Sequence, residues 1–307
     1  LMILLEGAII VTSAKEAEGS ILIEEGKIAD VLYSDAEDYN FSLFKIKNSG
    51  AEVKDCSGLH IMAGGIDAHV HFREPGLTHK ADMATESLAA VHGGVTSVMD
   101  MPNTIPATVT AEALKGKLEL AKGRTHTKTS FHIGATNENA EAICKMVMED
   151  DTEAGIGPED IAGVKVFMGS STGNMLVDST DTLSSLFAIK NKPVLVHCED
   201  EATIKANLEK AIATYGEDIP FTEHENIRSR MACIKSSIKA LELAMKHGTK
   251  LVLCHISTKE EAEMVRAAKL NNPEIIAETS CNYLWFSNED YSRLGSKVKC
   301  NPSVKTA

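Results

Sequence analysis

From about residue 59 onward, apolar runs alternate with amphipathic stretches, and this alternation limits the chain to very few folds. The runs are LHIMAGGIDAHV (59–70), VTSVMDM (95–101), TSFHIGAT (129–136), IAGVKVFM (161–168), KPVLVHCE (192–199), TKLVLCHIS (249–257) and EIIAETSC (274–281). Between them lie segments of helical texture such as KADMATESLAAVHGG, AEALKGKLELAKG and TKEEAEMVRAAKL, several of which stop at Gly. Apolar strands alternating with helices predict a parallel sheet covered on both faces. Seven units crowd an open sheet and fall one short of a closed barrel. The expected fold class is α/β, a (β/α)8 TIM-type barrel with seven strand units visible over residues 59–307. Seven strands alone would leave two open edges, so the barrel is expected to be incomplete at the C-terminus or to close in an unusual way.

Residues 1–58 read differently. MILLEGAII and SILIEEGKIADVLY are strand-like, with a turn at Glu25-Gly26. SDAEDYNFSLFKIKNSGAEVKD shows no sustained helical period and is expected as a strand pair with a loose connection. The segment is expected to be the N-terminal part of a small β-sandwich domain, too short to bury a core alone.

Composition narrows the partners. Of 307 residues, 43% are hydrophobic and 24% charged, as in an ordinary globular chain. The 31 basic residues against 44 acidic ones give a net charge of −13 without any Lys/Arg-rich run, which disfavours nucleic acid and anionic membranes. Apolar stretches are far shorter than a membrane span, and LMILLEGAII reads as a strand rather than a signal peptide. Seven cysteines without a CxxC pair fit free thiols in a reducing cytoplasm, which is the expected location. A homo-oligomer is compatible with the sequence.

Polar residues gather at the C-terminal ends of the apolar runs. The first ends in Asp67-Ala68-His69-Val70-His71, and two His at i and i+2 on a strand share a face, as chelation of one metal ion requires. Lys165 sits in the apolar GVKVF, and His197 and His255 fall at the ends of the fifth and sixth runs. Singly, each has a plainer reading as a packed histidine or a lysine reaching the rim. Together, in chain order, they occupy the positions where barrel enzymes build active sites, and the metal reading is preferred. Arg73, two residues past His71, suits a substrate carboxylate, and Asn103 in MPNT can donate and accept at once. Pro75-Gly76 and Pro102-Asn103 also suit plain turns.

DAHVHFREPGLTHK followed by MDMPNT resembles the dihydroorotase family of the amidohydrolase superfamily, along essentially the whole chain. The resemblance implies interconversion of L-dihydroorotate and N-carbamoyl-L-aspartate in pyrimidine biosynthesis, with a small anionic substrate. It implies His69 and His71 on one Zn2+ and His197 and His255 on a second, with carboxylated Lys165 bridging both. Arg73, Asn103 and Asn301 (in NPSVK) would hold the substrate carboxylate. Two departures stand out. Ser280-Cys281-Asn282-Tyr283-Leu284-Trp285 occupies the place of a PHHL-type motif, and the family's general base, an Asp in a DHAPH-like motif, has no counterpart, so the catalytic base is unassigned. Gly169–Asn174, with Ser171 and Thr172, is either a lid over the substrate or a plain connection. The competing readings are another cyclic amidohydrolase, of hydantoinase or allantoinase type, and a non-catalytic scaffold that retains the barrel.

Overall fold

The computed structural model describes residues 1–149, 155–169 and 175–307, and divides the chain into two compact units, Leu1–Gly65 and Ile66–Ala307. In the first, β1 (Met2–Val11), β2 (Glu16–Glu24) and β3 (Lys27–Tyr33) form an antiparallel meander. Glu25 and Gly26 turn the second hairpin at φ 51° and 78°, the paired positive values whose twist matches the flanking strands. Helix α1 (Tyr39–Asn48) follows, then β4 (Glu52–Asp55) and β5 (His60–Ile61), both pairing in parallel with β1 to give a mixed sheet. Because β5 belongs to this sheet, the unit extends past the boundary at 58 expected from sequence.

The strand pair expected around residues 34–55 is instead a helix and one strand. Of α1 only Leu43 is buried, while Phe41 and Phe44 are exposed, so no apolar stripe of helical period was present to read. Tyr39 reaches Ser20 of β2 through a 2.9 Å hydroxyl contact.

In the second unit, β6 (Gly65–Val70), β7 (Val95–Asp100), β8 (Lys128–Gly134), β9 (Ile161–Phe167), β10 (Val194–His197), β11 (Leu251–Leu253) and β12 (Ile276–Ala277) lie side by side in chain order. Pairing is parallel from β7 through β12. Each of the seven apolar runs supplies one strand. The connections carry α2 (Met83–His92), α3 (Ala111–Ala121), α4 (Ala140–Met146), α5 (Thr180–Phe187), α6 (Glu201–Tyr215), α7 (His224–Ile227), α8 (Arg230–His247) and α9 (Lys259–Lys269), and α10 (Cys281–Trp285) and α11 (Asp290–Leu294) follow β12. Side chains of Asp82, Thr110, Ser179, Asp200 and Thr258 cap the N-termini of α2, α3, α5, α6 and α9. Gly248 ends α8 at φ 62°.

Strand alternation sorts core from site. Val164 and Val166 of β9 and Val194 and Val196 of β10 pack in the main core with Leu183, Leu186 and Ala240 from the helices. Lys165, Leu195 and His197 take the opposite face, where Leu195 joins Met101 and Cys254 in a small inner cluster. The sheet curls far enough for His69 of β6 to touch Glu278, the residue after β12.

Candidate metal centre

A cavity of about 740 Å³ opens at the C-terminal ends of these strands and is lined by His69, His71, Lys165, His197 and His255. His69 and His71 flank the end of β6, Lys165 lies inside β9, His197 ends β10, and His255 follows β11. The rings form two pairs. His69 Nε2 is 3.3 Å from His71 Nε2, and His197 Nδ1 is 3.2 Å from His255 Nε2. The pairs adjoin, with 5.3 Å between the ring centroids of His69 and His255. Lys165 Nζ donates to Cys254 Sγ over 3.1 Å, and burial pushes that thiol up to about 12, so it is protonated at neutral pH.

The surroundings of His71, His197 and His255 favour the neutral imidazole. Burial holds His71 and His255 well below the usual imidazole range, and neighbouring histidines, Lys165 and, for His71, Arg73 add to the shift. Burial also lowers His197, against the pull of Glu199. Neutral imidazole is the ligand form of histidine.

Arg73, Asn103 and Asn301 line the same cavity. Three non-glycine residues among those described have positive φ; besides the turn residue Glu25 they are Arg73 at 64° and His255 at 40°. Such conformations persist where the surroundings over-determine them, which is common in binding sites. Asn301 Oδ1 is buried with no hydrogen-bond partner among the described residues, leaving an acceptor at the cavity wall. Cys281, Asn282 and Tyr283 line the cavity, and the Tyr283 hydroxyl donates to the Pro302 carbonyl at 2.7 Å. Ser171 and Thr172 lie outside the described residues.

Several site residues escaped the sequence reading. Glu199 accepts from His197 Nε2 at 2.8 Å and is itself clamped by Arg228. Its spacing, two residues after His197, is the same-face signal that singled out His69 and His71. Glu278 lies in the seventh run, directly after β12, and contacts His69 Nδ1. The strand-end rule applied to histidines would have found it. His132 donates from Nε2 to the Ala68 carbonyl at 3.0 Å, bracing the strand that carries His69; burial lowers it to about 4.

The donor set fits a pair of divalent ions. Two nitrogens about 2.0–2.1 Å from a tetrahedral zinc stand roughly 3.3–3.4 Å apart, close to the 3.3 and 3.2 Å within the two histidine pairs. His255 Nδ1 is shut from solvent with no partner among the described residues, so its ring carries no competing hydrogen bond there.

Residues 58–261 match the family model described as "Dihydro-orotase-like", well over half of the chain. The chain belongs to the dihydroorotase-like family. It is 33% identical over 294 residues to a dihydroorotase of Methanosarcina mazei and 30% identical over 291 to one of Methanosphaera stadtmanae, covering 93% of this chain and 59% and 61% of those relatives. An allantoinase of Desulfitobacterium hafniense is 29% identical over 302 residues, covering 94% of this chain and 62% of the relative. This member of the family thus spans about three fifths of the length of the curated relatives it matches. The L-hydantoinase (dihydropyrimidinase) structure from Arthrobacter aurescens superposes with TM-score 0.82 at 26% identity, covering 99% of this chain and 64% of that one. A D-hydantoinase structure at 24% identity and TM-score 0.81, covering 100% of this chain and 64% of that one, has the same fold. The TIM-type barrel expected from the alternating runs is the fold of this family member.

Proposed function

We propose that the protein interconverts L-dihydroorotate and N-carbamoyl-L-aspartate, the ring-closing and ring-opening step of de novo pyrimidine synthesis, at a site for two zinc ions. The observation that carries this reading is the convergence of His69, His71, His197, His255 and Lys165 on one cavity that also presents Arg73, Asn103 and Asn301. His69 and His71 would hold one ion and His197 and His255 the other. Addition of Lys165 Nζ to carbon dioxide, with loss of one proton, forms a carbamate whose two oxygens are anionic donors between the pairs. Bound there, the ions supply an activated water at neutral pH and polarise the scissile carbonyl.

The chain's own residues do the recognition. Arg73 is suited to the substrate carboxylate, because a guanidinium donates two parallel N–H bonds to two oxygens. Burial lowers its proton affinity, opposed by Asp100, yet a guanidinium stays charged at neutral pH. Asn103 and Asn301 add donors to the carboxylate, and Asn301 Oδ1 offers an acceptor to a ring N–H. Relatives named allantoinase and hydantoinase support a second reading with an uncharged cyclic amide. Parallel assays of the intact zinc-loaded protein with L-dihydroorotate, allantoin and hydantoin decide between them. Ring opening of L-dihydroorotate in clear preference supports the first reading; turnover of only the neutral rings overturns it.

A further inference from the structure

We propose that Glu278 is a positioning residue that selects the tautomer of His69, and thereby decides which ring nitrogen His69 offers to a metal ion. The inference rests on the metal-site reading above and adds a residue to it. His69 Nδ1 contacts Glu278 Oε1, while His69 Nε2 faces His71 Nε2 at 3.3 Å. A neutral imidazole carries one N–H, and an ionised carboxylate only accepts. The proton is therefore drawn to Nδ1, and Nε2 presents its lone pair to the cavity.

Glu278 is held firmly enough for this task. Its N–H donates to the Leu253 carbonyl at 3.0 Å, and its own carbonyl accepts from Ile256 N–H at 2.8 Å. The next residue adds a third tie, Thr279 Oγ1 to the Ile256 carbonyl at 2.9 Å. The carboxylate is thus anchored to the segment that carries His255, while the ring it orients comes from the opposite edge of the sheet.

The second histidine pair repeats the arrangement with the nitrogens exchanged. His197 gives Nε2 to Glu199 at 2.8 Å and turns Nδ1 toward His255. One ring of each pair is backed by a carboxylate, and the two carboxylates demand opposite tautomers. Direct ligation by Glu278 is the rival role, since donor atoms of His69, Cys254 and Glu278 lie within 4.8 Å of one another.

The test uses the intact protein with Glu278→Ala and Glu278→Gln, after circular dichroism shows that both fold. Nitrogen-15 NMR of histidine-labelled, metal-free protein reads the tautomer of His69 directly, and chelator competition reads zinc affinity. The expected result is a proton on Nδ1 in the parent and on Nε2 in Glu278→Ala, with zinc bound roughly 10–100-fold more weakly by that variant. Glu278→Gln, whose amide oxygen still accepts, should keep both close to the parent. A parent His69 protonated on Nε2, or a tautomer unmoved in Glu278→Ala, overturns the proposal. So does a Gln variant that loses as much zinc affinity as the Ala variant, which marks a direct ligand. Because the tautomer is read without metal, it stands apart from His69→Ala, whose unchanged zinc binding would defeat the metal reading instead.

Discussion

Lys117 Nζ lies 2.6 Å from Asp100 Oδ2, and neither side chain is exposed to solvent. Asp100 also accepts from the Phe72 N–H at 2.8 Å, and Lys117 donates to the Met101 carbonyl at 2.8 Å. The pair ties the loop bearing His71 and Arg73 to the loop bearing Asn103. Burial works against both charges, raising Asp100 and lowering Lys117, so each depends on the other. Lys117→Met removes one partner and leaves a buried carboxylate uncompensated, which should cost roughly 3–5 kcal/mol. Denaturant unfolding checks this, and an unchanged midpoint would show that the pair is dispensable.

Metal content is the direct measure of the histidine cluster. Protein reconstituted with zinc and bicarbonate should carry about two ions per chain by elemental analysis, since its histidines form two pairs that a carbamate on Lys165 would bridge. His71→Ala and His255→Ala, one from each pair, should each lower that content and abolish turnover while leaving the circular dichroism unchanged. Full zinc content in both variants would exclude these rings as ligands.

Arg73 separates the two substrate classes. Arg73→Met keeps the bulk of the stem but removes the charged donors. Loss of a charge-assisted hydrogen bond worth roughly 1.5–3 kcal/mol should lower kcat/KM for dihydroorotate by about 10–100-fold or more. Dihydroorotate kinetics equal to the parent's would point to a neutral ring as the substrate.

Lys165→Ala should lose the shared anionic donor, bind zinc more weakly and lose activity. Small carboxylic acids added in solution should restore part of the activity by filling the vacated space. High-resolution diffraction of the metal-loaded parent showing a free amine at Lys165 would remove the basis for this expectation.

Gly169 packs against the backbone of Glu199, where an added Cβ would come 2.1 Å from the Glu199 carbonyl oxygen. Gly169→Ala must push Glu199 aside and so disturb the partner of His197. A loss of about 1–3 kcal/mol of stability is expected, as for other overpacked sites. Thermal unfolding and zinc titration read the two consequences separately.

The legible part of the site was the part written in local pattern. His69 and His71 announced themselves because alternate strand residues share a face, and Lys165 because a charge interrupted an apolar run. Helix α1 was illegible for the converse reason: its apolar residues are largely solvent-facing, so its sequence carries no buried stripe. Lys117 lies in a helix whose sequence also carries Glu112, Lys115 and Glu119, and nothing local sets it apart from them. Only the buried carboxylate of Asp100, on a neighbouring strand, shows why it points inward.

By itself the sequence determined the α/β barrel class, the seven strands and the strand-end positions of the histidines, because periodicity and apolar runs are properties of a few consecutive residues. Tertiary structure alone decided which side chains meet across the sheet. Glu278 and His69 are 209 residues apart and lie at opposite edges of the sheet. Their contact exists only because strand twist, accumulated across the sheet, curls β12 back toward β6. No local pattern encodes that closure, so single residues at strand ends carry a signal in the sequence while the contact of His69 with Glu278 carries none.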